Sequence, residues 1–162
     1  MALRTRSAKV AVVGGVLLKP LIKHDDDRGW LTELFRVDEV PAEVQPAMGY
    51  LSRTEPGVVR GPHEHREQTD CFCFLSGRFK LYLWDNRRAS LTFGAFQTHI
   101  VGARRPTLVI VPPGVVHAYK NLSPKPGLVL NFPNRLYKGP GRGEPVDEIR
   151  HEDDPVTLFR VP

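Results

Sequence analysis

Short runs of β-branched and aromatic residues, cut at close intervals by glycine and proline, limit what this chain can fold into. "LTELFRV", "CFCFL", "RFKLYLW", "SLTFGAF", "TLVIVP" and "GLVLNF" each read as a strand. "EPG", "SG", "DNRR", "GARRP", "PPG", "SPKPG" and "KGPGRG" read as the turns between them. Many short strands with close turns predict an all-β sandwich or barrel with very little helix. The one helical candidate is a turn or two around "VDEVPAEV". "VAVVGGVLLKPL", near the N-terminus, is short and broken by glycines, and no small-residue cleavage site follows it. It reads as a strand region and not as a leader. The polar end "EPVDEIRHEDDPVTLFRVP" is expected to wrap over the barrel.

A length of 162 residues predicts one domain, residues 1–162. No apolar run is long enough to span a membrane, so a cytoplasmic protein with no membrane partner is expected. Cys71 and Cys73 stand two apart on one strand face, a spacing that seldom closes into a disulfide. They read as small apolar core residues. The net charge is +5, but the lysines and arginines are scattered and accompany no nucleic-acid motif. That balance suits an anionic small molecule such as a sugar nucleotide.

The chemistry concentrates in "RGPHEHREQTDCFCFLSG". On a strand His63 and His65 share one face, and Asp70, Phe72 and Phe74 share another if pairing resumes near Thr69. Gly77 then makes a turn. Further on, "PPGVVHAYKN" places Pro112, Gly114, His117 and Asn121 in a second ordered pattern. Imidazoles plus one carboxylate suit a divalent transition metal, with His63, His65, Asp70 and His117 as ligands and Gln68 or Glu64 behind them. The same groups without a metal would be a polar pocket of bases and hydrogen-bond partners. His24, His99 and His151 lack the spacing and read as surface or structural residues. The two patterns, in this order, resemble the paired signatures of the cupin superfamily, which implies a cupin-type jelly-roll barrel. Asp70 stands where the first signature usually has Glu.

A wider set narrows the resemblance. "DDRGWLTELFR", "GVVRGPH", "LTFGAF", "VIVPPGVVHAYKNLS" and "EPVDEIRHEDDP" follow one another over residues 25–155. This chain resembles the dTDP-4-dehydrorhamnose 3,5-epimerases, cupin-fold enzymes of nucleotide sugars that require no cofactor. The resemblance implies proton abstraction beside the ketone of a nucleotide-linked 4-keto-6-deoxy sugar. It places the base at His63 and the second pocket histidine at His117. Arg28, Glu33 and Arg60 fall at substrate-binding positions, and His65 and Asn131 join that set. A homodimer paired through N-terminal strands is also implied.

Three positions depart from the family. Its catalytic tyrosine falls at Asn131, which is no proton source at neutral pH. Tyr137, six residues on, matches a different family tyrosine and is a candidate substitute. The lysine that supports the oxyanion falls at Asp70, whose carboxylate would repel a developing negative charge. The aromatic residue that stacks on thymine falls near Leu136. A metal on the four ligands would restore positive charge, but a metal-bound His63 could not also act as a free base. "RGPHEH" is also close to a motif of the sugar-nucleotide 3,4-ketoisomerases, whose reaction needs no acid on the far face. Abstraction is therefore expected to survive better than inversion, with single epimerisation or ketoisomerisation as the outcome. The remaining alternatives are a metal-dependent cupin of another reaction class and a non-catalytic sugar-binding cupin.

Overall fold

The computed structural model describes residues 12–162. Twelve strands follow one another: β1 (Leu17–Pro20), β2 (His24–Asp26), β3 (Gly29–Leu31), β4 (Tyr50–Thr54), β5 (Val59–Glu64), β6 (Asp70–Phe74), β7 (Arg78–Asp85), β8 (Phe96–Gly102), β9 (Thr107–Val111), β10 (Val115–Asn121), β11 (Gly127–Asn131) and β12 (Ile149–Arg150). Two five-stranded sheets, ordered β1-β9-β6-β11-β4 and β12-β5-β10-β7-β8, pack into a jelly roll, and β2 and β3 form a separate hairpin. Every pairing is antiparallel. Among the described residues helix is limited to single 3₁₀ turns, one of them at Ala42–Val44 inside the expected "VDEVPAEV" segment. No described helix is long and apolar enough to cross a membrane.

Strand alternation divides the core. Phe72 and Phe74 of β6 point between the sheets, where they meet Phe79, Leu81, Leu83, Val109, Val115 and Tyr119. Cys71 and Cys73 point to the outer face, under Leu21 and Val44, beside Leu108 and Ile110. Both faces of β6 are therefore covered, which is why its sequence is a continuous apolar run. Each large side chain buried this way contributes about 1.5–3 kcal/mol. The two thiols are free and buried, and burial pushes them up to about 11 and about 12, so they are inert at neutral pH.

Two expected strands form differently. Of "LTELFRV" only Leu31 lies in a strand, the short β3. The segment then runs irregularly and lays Leu34 and Phe35 over the outer cluster of the first sheet. Burial against a sheet face satisfied its apolar residues without a ladder. "SLTFGAF" is mostly a turn, because the Ser90 and Thr92 hydroxyls donate to the buried Asp85 carboxylate at 2.6 and 2.5 Å. Those local bonds compete with strand pairing, and β8 begins only at Phe96. The N-terminal apolar stretch lies partly outside the described residues, and its second half forms β1. The C-terminal stretch does fold back over the second sheet. β12 pairs with β5, and Phe159 packs edge-on against Trp84 and His151.

Candidate active site

A cleft of about 1270 Å³ opens between the two sheets and is roofed by residues 133–148. Tyr50 and Ser52 of β4 line one wall. Arg60, Gly61 and His63 of β5 line the other, followed by His65 and Gln68, with Phe72 and Tyr119 at the floor. The β5 wall owes its shape to an irregularity. His63 pairs with His117 across β5 and β10, but Tyr119 pairs with Arg60, so one extra residue is looped into β5 at Gly61–Pro62. A bulge of this kind re-aims the side chain beside it, here His63. Gly61 has φ +82°, and a Cβ there would meet the His117 carbonyl oxygen at 2.6 Å, so the "RGPH" glycine is required.

His63, His65, Asp70 and His117 do converge. One ligand-type atom from each lies within 4.8 Å of all the others. Asp70 and His117 are buried behind the wall, while His63 and His65 reach the cleft. Asp70 Oδ2 stands 3.1 Å from both His65 Nε2 and His117 Nε2. His117 Nδ1 donates to the Val115 carbonyl at 3.0 Å, and His65 Nδ1 is bonded to the Asp147 carbonyl. With Nδ1–H committed to a carbonyl, each Nε2 attracts the carboxylate only when a proton or another cation lies between them.

The charge states follow from these contacts. Burial alone would lower His65, but its bond to Asp70 and the Asp147 carbonyl reverse this and hold it up at about 9. Burial opposes ionisation of Asp70 too, yet the two histidines hold its carboxyl well below the usual range. His63 goes the other way. Burial, with the neighbouring imidazoles of His117 and His65, drives it down to about 2 against the pull of Asp70. His63 is therefore a neutral imidazole with its lone pair available. Its Nδ1 lies 3.8 Å from Glu148 Oε1.

The other expected residues separate. Arg60 lines the cleft and is braced by Thr54 Oγ1 at 3.0 Å and the Arg53 carbonyl at 2.8 Å. Tyr137 lines the cleft from the roof. Asn131 is fully buried. Its Oδ1 accepts from the Cys71 N–H, and its Nδ2 donates to Asp70 Oδ1 and to Tyr50 Oη, so its amide is committed inside the wall and offers nothing to a substrate. Arg28 and Glu33 do not line their own chain's cleft. Arg28 bonds Asp26 at the exposed hairpin, and Glu33 lies 3.5 Å from Arg36. Glu64 does not back the cluster either: it is buried against Asn86 and His151 at 2.8 and 2.9 Å, and so anchors the C-terminal stretch.

Several cleft residues carried no motif. Asp147 accepts from the backbone N–H groups of Arg66, Glu67 and Gln68 at 2.8–2.9 Å, tying the roof to the turn after His65. Tyr50 reaches the cleft because Tyr50, Ser52 and Thr54 alternate inward. The parity of "YLSRT" would have shown this had the run been read as a strand.

Residues 9–142 match the family described as dTDP-4-dehydrorhamnose 3,5-epimerase. The chain is 37% identical over 123 residues to the probable low-salt glycan biosynthesis epimerase Agl13 of Haloferax volcanii, covering 75% of this chain and 79% of that relative. It is 35% identical over 126 residues to the spore coat polysaccharide biosynthesis protein SpsL of Bacillus subtilis, covering 78% and 83%. The crystal structure of a dTDP sugar isomerase from Desulfovibrio desulfuricans superposes with a TM-score of 0.78 at 24% identity, over 91% of each chain, and shows the same fold. ChmJ, a 3'-monoepimerase from Streptomyces bikiniensis solved with dTDP-quinovose, superposes with a TM-score of 0.71 at 22% identity, over 84% of this chain and 69% of that one.

Proposed function

The chain belongs to the dTDP-4-dehydrorhamnose 3,5-epimerase family, and from that premise we propose that His63 is the base with which it abstracts a proton beside the ketone of a nucleotide-linked 4-keto-6-deoxy sugar. It is an isomerase of nucleotide-linked keto sugars. The observation that carries the assignment is the placement of His63: a neutral imidazole set by a bulge on the cleft wall, beside the buried ion pair of Asp70 with a protonated His65. When His63 takes the proton from the carbon next to C4, the electron pair moves onto the C4 oxygen. The enolate oxygen needs a positive neighbour. Asp70 cannot supply one alone, but a protonated His65 beside it can. A diphosphate entering the cleft favours protonation of His63 and so strengthens it as a base. Arg60, Lys138 and Arg142 line the cleft as cations for that diphosphate. Incorporation of solvent deuterium into a dTDP-4-keto-6-deoxy sugar is the direct test.

A metal at the same cluster is a second reading. Asp70 Oδ2 and His117 Nε2 are buried and have no hydrogen-bond partner, although they stand 3.1 Å apart. With both Nδ1 atoms tied to carbonyls, His65 and His117 are oriented as metal ligands are. His63, His65, Asp70 and His117 would hold a divalent transition metal, and the metal would polarise the ketone as a Lewis acid. Protein purified without chelator is then expected to carry about one equivalent of metal, and metal-stripped protein to melt higher on adding Zn²⁺ or Mn²⁺. A metal-free protein unmoved by either ion would leave His63 free as the base.

The same family reading makes the protein a homodimer. Ile22, Trp30, Leu31 and Leu51 are exposed around the hairpin and the β4 edge, more apolar surface than an isolated chain gains from. Arg28 and Glu33, which stand clear of their own cleft, could then reach that of a second copy. Light scattering is expected to give twice the chain mass, and Trp30→Glu to shift it toward the monomer.

A further inference from the structure

Inversion needs more than a base. His63 removes the proton from one face of the sugar, so a proton must return from the other, and His63 stands on the β5 wall. Three phenols line the cleft: Tyr50, Tyr119 and Tyr137. Tyr119 is buried at the floor, and its hydroxyl shares a 3.0 Å bond with Ser52 Oγ. Tyr137 lies on the roof, held by its own backbone N–H against Met48 Sδ, and among the described residues no hydrogen bond orients its hydroxyl.

Tyr50 differs from both. It lies on β4, in the sheet opposite β5, and pairs in register with Asn131 of β11. The Asn131 amide has only one orientation that fits. Its Oδ1 must face the Cys71 N–H at 3.0 Å, so Nδ2 faces both Asp70 Oδ1 and Tyr50 Oη at 2.8 Å. Tyr50 Oη therefore accepts a hydrogen bond and keeps its own O–H free to donate, and the ring is half-exposed to the cleft. We propose, on the reading of His63 given above, that Tyr50 is the catalytic acid that returns the proton on the face opposite His63. The phenolic O–H breaks, the new C–H bond forms at the enolate carbon, and the C4 ketone re-forms. The resulting phenolate is held by the Asn131 N–H, takes a proton from solvent, and His63 releases its proton to solvent. Burial and the Asp70 charge raise the Tyr50 hydroxyl, which keeps it protonated until it is needed. Asn131 is then a positioning residue.

The test follows deuterium incorporation and configuration together, in D₂O, with a dTDP-4-keto-6-deoxy sugar. Tyr50→Phe keeps the ring and removes only the acid. It is expected to incorporate deuterium with retained configuration while inversion falls by about 10²-fold or more. Exchanging the pair, with Tyr50→Asn and Asn131→Tyr together, moves the phenol across one strand step and is expected to regain inversion that Tyr50→Asn alone has lost. Inversion by Tyr50→Phe at the wild-type rate would overturn the assignment. So would a folded Tyr50→Phe protein that loses exchange and inversion alike, a wild type that exchanges without inverting, or loss of inversion in Tyr137→Phe in place of Tyr50→Phe. A wild type that incorporates no deuterium at all would instead overturn the role of His63, and the two failures are told apart by the exchange signal.

Discussion

Replacing His63 with alanine is expected to lower deuterium incorporation into a dTDP-4-keto-6-deoxy sugar by about 10²-fold or more, the usual cost of losing a general base. The variant should remain folded, because His63 donates no hydrogen bond on which the wall depends, and its Nδ1 is 3.8 Å from Glu148. The pH profile gives a second readout. His63 is held down to about 2 in the free protein, so it stays neutral there across the working range and no acid limb of kcat/KM near pH 6 should come from it. His65, held up at about 9, loses its proton on the alkaline side, and with it the positive charge that favours the enolate oxygen. Activity is expected to fall as pH rises through about 9 and the fall to be absent in His65→Gln. A His63→Ala protein that exchanged within a few-fold of wild type would remove the base from this position.

Asp70→Ala is expected to destabilise the protein by about 3–5 kcal/mol, read from urea or thermal unfolding. Asp70 is fully buried and satisfies Gln68 Nε2 and Asn131 Nδ2, at 2.9 and 2.8 Å, besides standing between two imidazoles. Its removal leaves positive charge and two amide N–H groups buried without a partner. The pH dependence has two signs. The Asp70 carboxyl is lowered, so its contribution is present above the ordinary aspartate value near about 4 and is lost as pH falls toward the folded value. His65 is raised, so its contribution is complete below about 6.5 and is lost as pH rises through about 9. The Asp70–His65 pair is therefore most stabilising between about pH 4 and 6.5, while His63, held down to about 2, works against it there, because the unfolded chain gains a proton on His63 below about 6.5 that the folded protein does not. A cost of only about 1 kcal/mol, that of a single ordinary hydrogen bond, would mean that the imidazoles around Asp70 carry no charge.

These two results bear on the question raised by the aspartate at a position where the family has a lysine. The carboxylate does not act alone. With His65 protonated beside it, the Asp70 charge is neutralised in an ion pair, and the His65 cation, which reaches the cleft, faces the substrate in place of the family's lysine. Likewise, the asparagine found at the family's tyrosine position is no vacancy in the chemistry. Asn131 orients a phenol that comes from the neighbouring strand.

The sequence by itself determined the all-β architecture, because short apolar runs closed by glycine and proline leave no room for a helical layer. Alternation along one strand put His63 and His65 on one face, and the resemblance to the two cupin signatures added Asp70 and His117 to the same set. The sequence also marked Cys71 and Cys73 as core. Only the tertiary structure decided which residues meet across strands far apart in the chain. Register between β4 and β11 set Tyr50 against Asn131, and a one-residue bulge in β5 turned His63 into the cleft. Packing, not periodicity, made "LTELFRV" a cover and "SLTFGAF" a turn, since burial on a sheet face and bonds to Asp85 outweighed weak strand preferences. Cross-strand register and part of the buried cluster's bonding depend on partners more than fifty residues away, as with Asn131 Nδ2 and Asp70 Oδ1 at a separation of 61, and local sequence carries no record of them.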